Sequence, residues 1–167
     1  MALFSSDIKN LDDLFVHTLK DMYYAENRIS KSLPNMISKA SDEKLRNGFE
    51  KHLDETRSHV ERLDRVFGLI DQAPEGLDCP AIDGIIDEAE QVASEVGDNN
   101  VLDAALIASA QAVEHYEITR YGSLVSWAKQ LGHEEVANLL HQTLEEERAT
   151  DEKLTQLAKS SINRSAQ

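Results

Sequence analysis

From Leu102 to Leu131 the chain contains no proline, and its apolar residues return every three or four positions, at Leu106, Ala110, Val113, Tyr121, Leu124 and Ala128. That period predicts a long amphipathic helix. Glu114 and Glu117 fall on or beside its apolar stripe, three residues apart and therefore on one face. Two like charges buried together are costly unless a proton, a basic partner or a metal ion neutralises them. Any fold for this chain must place that pair where one of the three can reach it.

The rest of the composition points the same way. The 167 residues include only 7 Gly and 3 Pro, and Leu, Ala, Glu and Lys dominate, which favours an all-helical protein. The length suits a single domain with its own core. A formal net charge of -14 argues against nucleic acid or an anionic membrane as partner. Cys79 is the one cysteine, so an internal disulfide and a four-cysteine metal site are excluded, and a reduced, cytoplasmic setting fits. No apolar run approaches transmembrane length, and Met1 to Ser6 lacks the charged and apolar regions of a signal peptide.

In chain order, the spacing predicts a first helix over about 10–40, capped by Asn10 or Ser6, with Leu11, Leu14, Phe15, Leu19, Met22, Ile29, Leu33 and Ile37 as its stripe. Glu26 takes a stripe position, and Pro34 is expected to kink or locally break the helix. A second helix, about 41–70, starts with the hydroxyl of Ser41 as cap and carries His52, Glu55 and His59 along one edge. Residues 71–80 read as loop, with two prolines and a glycine, and a short amphipathic helix follows over about 81–96. The third long helix, about 100–131, stops at Gly132. The fourth, about 133–160, carries Glu147 and Asp151 on its stripe, and the tail from Ser161 reads as frayed. Short links within each helix pair and a longer one between the pairs predict an antiparallel four-helix bundle with one crossover, as in ferritin-like folds.

Each long helix thus offers a carboxylate on its inner stripe: Glu26, then Glu55 with His59, then Glu114 and Glu117, then Glu147 and Asp151. Carboxylates with an occasional imidazole suit iron and manganese, and a bundle core is where dinuclear sites of that kind are built. Blander readings stand beside this one. Glu55 and His59 read equally as an exposed pair one turn apart. Glu145 to Glu147 read as a solvated charge run in which only Glu147 meets the stripe. His52 reads as a packed histidine, His115 as surface or outer support, and His17, His133 and His141 as surface or capping residues. The tyrosines 23, 24, 116 and 121 read as core, and Cys79 as an incidental loop residue.

The segments His52-Leu53-Asp54-Glu55-Thr56, Val113-Glu114-His115-Tyr116-Glu117-Ile118, Tyr121-Gly122-Ser123-Leu124 and Glu145-Glu146-Glu147-Arg148-Ala149-Thr150-Asp151 resemble the YciE/YciF family of bacterial stress-associated proteins. Ala25-Glu26-Asn27 and Asp103-Ala104-Ala105-Leu106-Ile107 add to the likeness, which is stronger to the YciF branch and extends from about Leu11 to Leu157. It implies a ferritin-like four-helix bundle with an added short helix, commonly a homodimer, whose members rise under osmotic or general stress. More distantly the chain is similar to the rubrerythrins and other di-iron carboxylate proteins. Glu26, Glu55, Glu114, Glu117 and Glu147 resemble the carboxylates of their sites. Two departures stand out: His59 follows Glu55 by four residues where three is usual, with Ser58 in the usual place, and Asp151 stands where a histidine is expected. The chain also has no cysteine pairs for a rubredoxin-like electron donor.

Two functions follow, with bulk iron storage a poor third because nothing in the sequence marks the surfaces of a closed cage. The first is a dinuclear iron or manganese protein which, if it turns over, oxidises metal with oxygen or peroxide. The second is a non-enzymatic structural or interaction protein, a stress-induced dimer with a decayed metal site, whose inner acids share protons and water with His52, His59 and Arg120.

Overall fold

The computed structural model describes residues 8–167. Ser6 as a cap and the Met1–Ser6 reading lie outside those residues. Five helices of three or more turns make up the described chain: α1 Leu11–Lys39, α2 Glu43–Leu69, α3 Pro80–Glu95, α4 Asn99–Gln130 and α5 Glu134–Leu157. A π-helical turn, Ala158–Ile162, and a last short turn, Asn163–Ser165, complete it, with no strand among the described residues.

The helix ends are set by side chains. Asn10 accepts a bond from the Asp13 backbone N–H at 2.8 Å, and Asp98 accepts from Asn100 and Val101. Gly132 takes φ +80, the left-handed conformation that lets α4 stop and the chain reverse into α5. At the start of α2 the sequence expectation shifts by one residue. Asp42, not Ser41, caps the helix by accepting from Leu45 N–H at 2.9 Å. Ser41 instead donates its hydroxyl (2.6 Å) and backbone N–H (2.8 Å) to buried Asp103 on α4, which also accepts the Asp42 N–H at 2.9 Å. Nor does α1 break at Pro34: it runs on to Lys39, with Leu33 buried just before the proline. A proline removes one N–H, and the packing on either side outweighs that loss.

The four long helices form a closed circuit of contacts, α1 with α2, α2 with α5, α5 with α4 and α4 with α1. One continuous apolar core fills it, from Phe15, Leu19 and Met22 through Phe49 and Phe67 to Leu124 and Leu140. α3 lies outside the circuit against α4 and α1, burying Ile82 and Ile86. It is tied down by Asp83, which accepts from Tyr24 Oη at 2.8 Å and Arg28 Nε at 2.7 Å. Cys79 lies at the end of the loop, as expected, and caps the start of α3, where it is buried with its Sγ 3.0 Å from Tyr116 Oη. The chain end is not frayed: it is helical, and Ile162 packs into the core. No described helix is long and apolar enough to cross a membrane.

Candidate metal centre

The core that the long helices enclose gathers its buried glutamates and histidines at one level. There α1 supplies Glu26, α2 His52 and His59, α4 Glu114 and Glu117, and α5 Glu147, all buried. Helical period explains each placement. Glu26 follows Met22 and precedes Ile29 on the α1 stripe. His52 and His59 stand seven residues apart, two turns along one face of α2. Glu114 and Glu117 share a face of α4, as their spacing requires.

The ligating atoms form two groups that meet at Glu147. His52, Glu114, Glu117 and Glu147 make one; Glu26, His59 and Glu147 make the other, and within each group the atoms lie within 4.8 Å of one another. His52 Nε2 is 3.1 Å from Glu114 Oε1, and His59 Nδ1 is 2.9 Å from Glu147 Oε1 and 3.4 Å from Glu26 Oε1. These separations suit ion pairs, yet the ring nitrogens are not aimed for hydrogen bonds. Nine buried side-chain atoms, including both oxygens of Glu117 and Glu147 and both nitrogens of His52, lack an aligned partner. Every such atom among the described residues belongs to this cluster. Each orphaned buried group costs about 1–3 kcal/mol, so the side chains of Glu26, His52, His59, Glu114, Glu117 and Glu147, which carry these atoms, together rival the roughly 5–15 kcal/mol that hold a domain together. The cluster therefore requires neutralising guests, protons or cations.

An outer layer fixes the inner one. Tyr121, fully buried, donates its hydroxyl to Glu26 Oε1 at 2.5 Å. The far nitrogen of His59, Nε2, meets Glu146 Oε2 at 2.9 Å. Glu146 is gripped by Arg62 at 2.9 and 3.2 Å, and Arg62 also reaches Thr143 Oγ1 at 2.5 Å. This carboxylate–imidazole arrangement leaves Nδ1 facing Glu26 and Glu147.

Electrostatics follow burial. Loss of water pushes the Glu114 and Glu147 carboxyls up to about 8 and Glu117 well above the usual carboxylate range, with Glu26 and the neighbouring acids adding to the effect. Burial lowers His52. Burial also opposes charge on His59, but Glu26 and Glu147 outweigh it and raise its pKa to about 11. Burial and then Glu26 raise the Tyr121 phenol far above its ordinary value.

Of the residues singled out from sequence, Glu26, His59, Glu114, Glu117 and Glu147 come together. Glu55 and Asp151 stand outside both groups. Glu55 lies about 60° round α2 from His52, and its partly exposed carboxylate pairs with Lys51. Asp151 accepts from Gln111 Nε2 at 2.8 Å and faces the exposed His115 at 3.3 Å. Arg120 lies over the Tyr116 ring, 5.3 Å from its centroid, and does not reach the acids. His52, read as a packing residue, faces the cluster, and its signal was the seven-residue step to His59. Glu146 and Arg62 were hidden, one in a run of three acids and the other as an ordinary helix arginine.

A family described as a domain of unknown function, DUF892, matches residues 10–167. The chain belongs to the DUF892 family. Protein YciF of Escherichia coli (strain K12) is 44% identical over 162 residues, covering 96% of this chain and 98% of that protein. The crystal structure of this E. coli stress protein aligns at TM-score 0.89 over 93% of the chain and 99% of its own. YcfI of Rhodopseudomonas palustris, provisionally described as a structural protein, aligns at TM-score 0.89 with 51% identity, over 92% of this chain and 98% of its own. A protein from Xanthomonas campestris, 21% identical, shares the fold alone at TM-score 0.75, over 93% and 95% of the two chains. The likeness to the YciF family read from the sequence is thus shown over nearly the whole chain, and the relatives share its all-helical fold.

Proposed function

We propose that the chain is a ferritin-like four-helix bundle, with α3 carried on its one crossover, that holds a carboxylate-bridged pair of iron or manganese ions. The observation that carries this reading is Glu147, a member of both ligand groups and the natural bridge between them. The donor set fits: oxygen-rich with one imidazole for each position, as such ions prefer. Four carboxylates in the two groups also match in charge the two divalent cations, so loading relieves the repulsion that burial creates.

When bound, such a pair supplies one-electron chemistry toward oxygen or peroxide. The chain's own residues prepare the place for it. Tyr121 holds one oxygen of Glu26 and leaves the other, Oε2, without a hydrogen bond. Glu146, held by Arg62, fixes the ring of His59 from outside. Protons carried on Glu114, Glu117 and Glu147 leave as metal enters. The reading extends to a cytoplasmic homodimer, as the resemblance to the YciE/YciF family implies.

Anaerobic titration with ferrous ion, and in parallel with manganous ion, in weakly buffered solution tests the reading: uptake of either accompanied by proton release supports it, and uptake of neither overturns it. In that second case the chain is a structural protein, as the description of the R. palustris relative suggests, and its inner acids merely share protons.

A further inference from the structure

The two halves of the cluster differ in what covers them. Glu26, His59 and Glu147 have no exposed surface, and the outer side of His59 is closed by Glu146 and Arg62. On the other side, a cavity between α2 and α5 is lined at its inner end by His52 and Glu114. Buried Phe49 and Leu154 form its apolar walls, and exposed Gly48, Lys51 and Lys153 form its rim. Glu55, outside the ligand groups, lines the same cavity and pairs with Lys51.

We propose that this cavity admits a small uncharged reactant, of the class of dioxygen or hydrogen peroxide, to the His52–Glu114 half of the site and not to the Glu26–His59 half. The role as a reactant's entry rests on the dinuclear reading; the accessibility itself does not. Glu55 offsets the charge of Lys51 at the rim, and the apolar walls make a charged species costly to pass. A small uncharged molecule avoids that cost. Gly48 lines the mouth, and a Cβ added there meets nothing within 4 Å, so a larger side chain has room at the mouth without displacing the helix. Replacing a helical glycine also raises helix propensity, which keeps the variant folded.

The test uses the full metal-free chain under dioxygen pressure, with paramagnetic relaxation of assigned side-chain protons as readout. The expected result is several-fold faster relaxation at the His52 ring and the Leu154 methyls than at the His59 ring. Gly48→Phe should abolish the difference, and Leu154→Phe, narrowing the passage from the opposite wall, should reduce it. Equal relaxation at the two histidines, or a wild-type pattern in folded Gly48→Phe, would overturn the proposal. Anaerobic ferrous loading of separate, dioxygen-free samples of the same proteins reports on the metal reading. Two folded, metal-binding variants with unchanged dioxygen access sink the cavity alone, while dioxygen at His52 in a chain that takes no metal sinks the dinuclear reading and with it the reactant role.

Discussion

Glu146 touches no proposed metal position, yet it holds the outer nitrogen of His59 and is itself held by Arg62. Outer partners of this sort typically change metal affinity 10–100-fold when removed, so Glu146→Ala and Arg62→Ala should each weaken loading by about one to two orders of magnitude. Chelator competition would measure it, with the helical content unchanged. The pH response of the metal-free chain is equally specific. Glu114 and Glu147 are raised from 4.5 to about 8, and His59 from 6.5 to about 11. A raised group stabilises the fold fully below its unfolded pKa and loses that contribution as pH climbs through its folded pKa. His52, lowered, acts the other way only when pH falls below its ordinary 6.5. Between roughly pH 6.5 and 9 the metal-free melting temperature should therefore fall as pH rises. Metal-loaded protein should show the opposite slope, because ligation needs the deprotonated carboxylates. A flat metal-free profile would contradict the assignment of these acids as buried together. The sequence showed five of these inner residues through period alone. It placed Glu55 among them because a stripe read from spacing is wider than the face that meets the core, and the Lys51 contact resolves that edge.

Among the elements, the joint between α1, α2 and α4 was the least legible. A serine before two acids reads locally as a cap, whereas the hydroxyl of Ser41 goes to a carboxylate on α4. That bond crosses 62 positions of sequence, so no local rule reaches it. Asp103 is buried and receives three donors from Ser41 and Asp42. Asp103→Ala strands all three and should cost about 3 kcal/mol in urea unfolding, without changing metal stoichiometry. A loss under about 0.5 kcal/mol would show the joint to be solvated. The long helices themselves were readable because period, caps and Gly132 agree. Pro34 does not break α1, because a proline's local cost says nothing of the packing on either side, and Cys79 lies in the loop as read, though composition does not reveal that Tyr116 covers the loop's end.

At the scale of the whole molecule, an acidic chain gathers carboxylates in its core as well as on its surface. Surface acids are solvated by default; the inner cluster is not, and it leaves nine polar atoms without aligned partners. The all-helical class was legible from breaker scarcity, since long proline-poor stripes can bury themselves only against one another. Which acids converge was not, because convergence depends on the rotation of each helix about its axis. The central claim is that the convergence is a dinuclear site bridged by Glu147. The most direct measurement is metal content of untagged protein by mass spectrometry after anaerobic ferrous loading, beside a Glu114→Ala/Glu147→Ala variant. Uptake of about two ions per chain, lost in the variant while its helical content is kept, is the predicted result. Metal no higher than in the variant would contradict it.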